Sequence, residues 1–140
     1  MSMASEFLST NDTSVDLTWS TNIQAGGIAI EIKAEVIAFD AATNSGYQAT
    51  ASTYNWLHTC TTGSNRYLIV GVSMLSVVGS SVTGITYNSV AMTFLGAVSS
   101  VTGAVRSELW GLIAPSTGSN TIAVTLSTGL ISAACAVSFT

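Results

Sequence analysis

Stretches in which apolar and polar residues alternate dominate this 140-residue chain, and no segment sustains the 3.6-residue period of a helix. The clearest alternation, in Ile28–Glu35, places Ile28, Ile30 and Ile32 on one face of a strand and the charged residues on the other. Eight further stretches have the pattern of strands: Val15–Ser20, Tyr54–Thr59, Tyr67–Leu75, Val82–Tyr87, Val90–Gly96, Arg106–Ile113, Asn120–Leu126 and Ser132–Phe139. Short strands at this spacing predict an all-β fold, an antiparallel β-sandwich of jelly-roll type.

Two turns can be placed from residue types alone. Asn88-Ser89 between two strand candidates predicts a tight hairpin, because asparagine tolerates the positive φ that such turns require. The single proline, Pro115, follows a strand candidate and is expected to open a turn, where no ladder donor is lost.

Charge is scarce in most of the chain. Ala41–Thr140 contain three formally charged side chains, Arg66, Arg106 and Glu108. Three cations in the whole chain cannot form the basic surface that nucleic-acid binding requires. Acid–base chemistry also needs ionisable groups, so the composition predicts a non-enzymatic structural or binding protein. The remaining acidic residues lie within residues 1–40, which predicts a solvated acidic segment there.

Candidate catalytic residues are few. His58 is the only histidine, and Cys60, two residues along the same strand, is the one nucleophile with which it could pair. No carboxylate lies between Asp40 and Glu108 to orient the ring. We therefore expect no catalytic residue, and a His58 that packs beside Trp56 or at a strand end.

The two cysteines and the acidic residues do not make a metal site. Two thiols with one histidine are too few for zinc, and the carboxylates lack the spacing of a calcium loop. Cys60 and Cys135 could pair in an oxidising compartment, but we expect two free thiols. Cys135 should face the core, because it alternates with Val137 and Phe139. No glycine pattern indicates a nucleotide, so the sequence predicts no metal and no cofactor.

Membrane and sugar partners receive little support. No apolar run approaches the roughly 18 uninterrupted residues of a membrane-spanning helix, and the first residues lack the features of a signal peptide. The tryptophans Trp19, Trp56 and Trp110 lie on separate strand candidates, which favours core positions; a sugar-stacking surface is the alternative.

The beginning and the end of the chain are similar to each other. Val15–Ile32 lines up without gaps on Ile122–Phe139, with identities that include Thr18/Thr125 and Ser20/Ser127. One interpretation is that amphipathic hairpins resemble one another in general. The other interpretation is that the N-terminus carries the last hairpin of a module whose next copy follows it.

Four stretches form an ordered pattern. They are Trp56–Ser73, with a His-Thr-Cys strand end and a Gly-Ser-Asn-Arg turn; Val82–Thr93, with Tyr-Asn-Ser-Val-Ala-Met-Thr; Glu108–Leu126, with Leu-Trp-Gly-Leu and a Pro-Ser-Thr-Gly turn; and Ala136–Thr140. Together they resemble a β-sandwich module of tailed-phage virion proteins and of large repetitive bacterial surface proteins. The resemblance implies a module at residues 37–140 and an N-terminal arm and hairpin at residues 1–36, which the module pattern lacks.

The resemblance also implies roles. It supplies no catalytic residue, makes Arg66 a turn residue that closes a hairpin, and makes Trp110 a core residue. A standalone chain of this kind resembles a phage head decoration (cement) protein on the capsid surface of the virion. The implied partners are the major capsid protein and further copies of the chain, in a homo-oligomer such as a trimer. The candidate interface is the apolar face of Ile28, Ile30 and Ile32. The alternative is a carbohydrate-binding or host-adhesion module of a tail fibre or bacterial surface protein, located outside the cell or at its surface.

Overall fold

The computed structural model of the chain describes residues 37–75 and 79–140, which belong to one compact unit, Ile37–Thr140. Seven strands build it: β1 (Phe39–Cys60), β2 (Tyr67–Leu75), β3 (Val82–Tyr87), β4 (Val90–Ala91), β5 (Thr93–Ser99), β6 (Val105–Ile113) and β7 (Gly118–Phe139). All pairings are antiparallel, and no helix occurs in the described ranges. The prediction of an all-β fold is confirmed. The strands predicted at Val15–Ser20 and Ile28–Glu35 lie outside the described residues.

The long strands β1 and β7 pair with each other along their whole length and form a ribbon that belongs to both halves of the sheet. The first half of β7 pairs on its other edge with β3, and the second half pairs with β2. We call the half-sheet β1–β7–β2–β6–β5 the wide half and the half-sheet β1–β7–β3–β4 the narrow half. One continuous ribbon therefore supplies two adjoining strands to each half.

The register of the ribbon is broken at four places, and it bends at the largest break, between the pairs Thr53–Thr125 and Ala51–Leu130. Gly129 lies in this bend, and a Cβ atom there would collide with the carbonyl oxygen of Thr50. Only glycine lets the two backbones approach this closely. The Ser-Thr-Gly segment that the sequence predicts as a link between two strands is thus a bend within β7.

The sheet nearly closes on itself. Strands β4 and β5 lie at the two ends of the strand order, yet only Met92 separates them in the chain. The Met92 amide donates to the carbonyl of Ile85 at 2.9 Å, and the side chain is buried. The predicted strand Val90–Gly96 is therefore two strands, because Met92 carries the chain from one half of the sheet to the other.

Large side chains on β2 face small ones on β7 in the core. The inward residues of β2 are at most 2% exposed. Their ladder partners are small, in the pairs Leu68–Ser138, Val70–Ala136, Val72–Ala134 and Met74–Ser132. Placing small residues beside large ones allows the close packing that protein interiors require.

This packing overturns the prediction that Cys135 faces the core. Cys135 is exposed and lies on the outer face of β7. The two-residue period is correct, but the inward phase belongs to Ala134, Ala136 and Ser138. The large residues of β2 leave room only for small side chains, so the more apolar set that includes Cys135 and Val137 lies outside.

The turn predictions have mixed outcomes. Asn88 and Ser89 have φ of 48° and 65° in the β3–β4 hairpin, as predicted. Arg66 is a turn residue: its Nε and Nη1 donate to the carbonyls of Pro115 (3.0 Å) and Gly63 (2.6 Å). The turn does not close a hairpin, because β1 pairs with β7 and β2 pairs with β6 and β7. It connects the narrow half to the wide half, and Arg66 joins it to the turn before β7.

Candidate functional site

The predicted interface residues Ile28, Ile30 and Ile32 lie outside the described residues, so that prediction stays a prediction. The described unit instead presents a concave site on the outer face of the wide half. It has a volume of about 780 Å³ and is lined by residues of β1, β7, β2, β6 and β5. We call this site the trough.

Small residues form the floor of the trough. Ladder pairing places Gly71 beside Cys135, and Ser73 beside Ala133, at the centre of the half-sheet. A Cβ atom on Gly71 would meet Cys135 Sγ and Leu109 Cδ2 at 3.5 Å each, an ordinary contact distance. The outer face is therefore low at its centre because its residues are small, not because the backbones approach each other.

Larger apolar residues stand beside the floor. On β6 and β5, Leu109 and Val98 are 51% and 68% exposed and line one side of the trough. At the other side β1 leaves regular pairing between Asn44 and Tyr47, where Gly46 has φ of 70°. Ser45 Oγ accepts from the Ala134 amide at 2.9 Å and fixes this irregular segment to β7.

The trough exposes no charge. Its one ionisable carboxylate belongs to Glu108, whose side chain is 1% exposed and turned into the interior. Glu108 Oε1 accepts from Arg106 Nε at 2.7 Å and from the Val82 amide at 3.2 Å, and Oε2 accepts from Trp110 Nε1 at 3.3 Å. The carboxylate is satisfied on the inner side of β6, which leaves an uncharged outer face. Nothing in the sequence alternation alone indicated this buried carboxylate.

A second group of polar residues is centred on the buried side chains of His58 and Ser138. Ser138 Oγ donates to Asp40 Oδ2 at 2.7 Å, so its oxygen accepts from His58 Nε2 at 3.0 Å. His58 Nδ1 then accepts from Thr43 Oγ1 at 2.8 Å, and Thr43 Oγ1 accepts from Trp56 Nε1 at 2.9 Å. This assigns a neutral ring protonated on Nε2. The chain of hydrogen bonds connects β7 to both arms of the bent strand β1.

The ionisation of this network follows from its surroundings. Burial lowers the pKa of His58 below its ordinary value of 6.5, although the charge of Asp40 acts in the opposite direction. Burial opposes ionisation of Asp40, but hydrogen bonds from Thr61 and Ser138 outweigh it and hold the pKa of the carboxyl below 3.8. At neutral pH the network therefore holds a neutral imidazole and a charged carboxylate.

This geometry does not supply an activated nucleophile. Both nitrogens of His58 are engaged, so neither can take a proton from Cys60, which is itself buried. The hydroxyl of Ser138 donates to a carboxylate and not to the imidazole. The network is a cross-link between the two halves of the fold, and the sequence prediction of a packed His58 is confirmed by its 1% exposure.

The remaining predicted features can be located. Cys60 and Cys135 are both free thiols, as predicted. Trp56 and Trp110 are partly buried against the core, and both indole N–H groups have protein acceptors. Of the described tyrosines, Tyr47 is strongly exposed at 69%. The ring of Trp110 also packs edge-on against Phe94, with ring centroids 5.4 Å apart, so neither indole stands free in solvent.

Residues 37–75 and 79–140 contain neither a metal-binding cluster nor a helix that could span a membrane. Within these ranges, histidine, cysteine, aspartate and glutamate nowhere come together in a group of three that could hold a metal ion. The same part of the chain contains no helix of the length and apolar character needed to cross a membrane.

Comparisons with known proteins found no matching protein-family model, no matching curated protein and no matching solved structure.

Proposed function

We propose that this chain is a non-enzymatic structural protein of a phage virion, with a jelly-roll β-sandwich that binds the capsid surface and cements neighbouring capsomers. The observation that carries the proposal is the uncharged outer face of the wide half. Its exposed residues are uncharged and mostly small or apolar, and its carboxylate faces inward. A surface of this kind suits contact with another protein, because burying it leaves no charge without a partner.

The internal use of the charged side chains supports the same proposal. The described residues contain four formally charged side chains, Asp40, Arg66, Arg106 and Glu108. Each makes hydrogen bonds within the domain. The surface is therefore poor in free charges that would have to be desolvated on assembly.

The choice of a capsid as the partner comes from the resemblance of residues 37–140 to modules of phage virion proteins. The described unit has the all-β character that this resemblance implies. Its exposed large apolar residues, among them Leu95, Val98, Val101 and Leu109, are the kind that become buried at interfaces.

The N-terminal residues have a separate part in the proposal. We propose that the face formed by Ile28, Ile30 and Ile32 is an arm that contacts a neighbouring subunit. Deleting residues 1–36, which removes this face, should leave a folded, soluble β domain that no longer joins its assembly. A truncated chain that is unfolded or insoluble would show that the segment belongs to the core of the domain.

A carbohydrate-binding or host-adhesion module is the second candidate. The exposed aromatic residues Tyr47 and Phe39, at 69% and 66%, are the observation in its favour. Against it, the indoles of Trp56 and Trp110 pack on the core, whereas sugar-stacking sites present aromatic faces to solvent.

The test is the composition of virions made by the phage that encodes the chain. Mass spectrometry of purified virions should find the chain at a fixed ratio to the major capsid protein, and electron cryomicroscopy should show it on the outer capsid surface. Purified chain added to capsids that lack it should bind saturably. Absence from virions would overturn the proposal, and density on tail fibres would favour adhesion.

A further inference from the structure

We infer that the trough binds a second copy of this chain, so that two wide halves pack face to face about a two-fold axis. The inference rests on the proposed function in treating the outer face as a protein-binding surface. It assigns the trough to the contact between two copies of the chain, so that contact with the capsid falls to other exposed apolar residues of the pair.

The face has a ridge beside a floor, an arrangement that two copies can share. Leu109 and Val98 form an apolar ridge along β6 and β5, immediately beside the floor of Gly71, Ala133 and Cys135. In a two-fold arrangement the same patch is used by both copies, and a residue on one side of the patch meets the other side of its partner. The ridge of each copy can therefore enter the floor of the other.

The charges also favour a second copy. A partner that brought a charged side chain into the trough would leave it without a counter-ion, because the Glu108 carboxylate is on the inner side of β6. An unpaired buried charge is strongly unfavourable. A second copy brings another uncharged face, whereas about a quarter of the residues of an average protein chain are charged.

The area of the face is somewhat below that of a standard protein interface. Five strands at about 4.8 Å spacing span about 19 Å, and a nine-residue strand such as β2 is about 30 Å long. The projected face is therefore about 570 Å², before side-chain relief is added. Stable protein interfaces bury about 800 Å² from each partner. The wide half alone approaches this size.

A small apolar ligand fits the site less well. Ligand pockets of this volume carry a few convergent polar groups that orient the ligand. The floor here offers Gly71, Ala133 and Cys135, with the Ser73 hydroxyl accepting from Ser107 at 3.3 Å.

The test compares two lysine variants of the full chain by sedimentation velocity over a concentration series. Ala133→Lys places a charge on the floor of the trough, at an exposed position with no side-chain hydrogen bond to lose. Thr121→Lys is the matched control, because it is exposed on the same strand in the narrow half. Circular dichroism verifies that both variants are folded.

The wild type and Thr121→Lys should form the same dimer. The dissociation constant of the Ala133→Lys dimer should be at least roughly tenfold higher. Leu109→Ser, which shortens the ridge without adding charge, should weaken the dimer as well. It replaces Ala133→Lys as the test variant if Ala133→Lys does not fold. A wild type that stays monomeric throughout the micromolar range would overturn the inference, as would Ala133→Lys and Leu109→Ser variants that associate like wild type. Native mass spectrometry that finds a small molecule bound to a monomer would also overturn it. Virion incorporation is measured separately, so either proposal can fail alone.

Discussion

Replacing Ser138 with alanine removes the hydroxyl through which His58 is linked to Asp40. Ser138 is 1% exposed, and its oxygen lies 3.0 Å from His58 Nε2 and 2.7 Å from Asp40 Oδ2. In the variant, the Nε2–H of a buried ring has no acceptor, and Asp40 loses one of its donors. Moving the proton to Nδ1 does not help, because Nε2 then becomes a buried acceptor without a donor.

The expected loss follows from these two groups. A buried donor or acceptor left without a partner destabilises a protein by about 1–3 kcal/mol. Asp40 keeps the hydroxyl and the amide of Thr61, so its share of the loss is small. We expect Ser138→Ala to lower the free energy of unfolding by about 2 kcal/mol. In a domain of this size, each kcal/mol lost lowers Tm by about 4–8 °C.

Ser132 provides a matched control on the same strand. It is also buried, at 3%, and also faces inward, but its hydroxyl makes no hydrogen bond of regular geometry and interacts only with the Tyr54 hydroxyl. Ser132→Ala therefore removes a weaker interaction than Ser138→Ala does, and the free energy of unfolding should fall by less than about 1 kcal/mol. Urea unfolding monitored by circular dichroism measures both variants. Equal losses in Ser138→Ala and Ser132→Ala would refute the assignment of the network as a cross-link.

Three further predictions concern other ionisable and reactive groups. Burial lowers the pKa of His58 below 6.5, so the unfolded chain binds the proton more readily than the folded chain. The free energy of unfolding should therefore fall as the pH drops below about 6.5, and it should fall less in His58→Gln. Unfolding free energies measured from about pH 8 to 5 check this. Arg106→Met should lower the free energy of unfolding by about 3–5 kcal/mol, because it leaves the buried carboxylate of Glu108 without its cation. Glu108→Gln should cost less, since the Arg106 side chain is 27% exposed and can be hydrated; urea titration compares the two. In the dilute, folded, unreduced chain, a thiol reagent should modify Cys135 quickly and should modify Cys60 only after denaturation. Mass spectrometry of the labelled peptides checks this. If both cysteines stay unmodified after denaturation, they form a disulfide.

Local patterns predicted the strands that are short and regular. The bounds of β2 and β3 coincide with the stretches Tyr67–Leu75 and Val82–Tyr87, where alternation is clean. The first half of β1 was missed, since Ala41–Thr53 is rich in alanine, serine and threonine and alternates weakly. It is a strand because β7 pairs with it, which is information from the far end of the chain.

The sites were harder to predict for the same reason. His58 lies 15 residues from Thr43 and 80 from Ser138, so no local pattern could indicate the network. The trough depends on which phase of an alternation faces outward. That phase is decided by the volumes of Val70 and Val72 on β2. The sequence of β7 alone therefore predicted that Cys135 faces the core, whereas it lies on the outer face.

The rate at which Cys135 reacts with a thiol reagent most directly tests the claim that the trough is a protein-binding surface. Cys135 lies on the trough floor, and the buried Cys60 is an internal reference that should stay slow throughout. The rate is measured in dilute monomer, in concentrated chain and in intact virions. We predict fast reaction in the monomer and strong protection in both assembled forms, with protection lost in the concentrated Ala133→Lys variant. Equal rates for Cys135 in all three samples would contradict the account, because the trough would then stay open to solvent in every state.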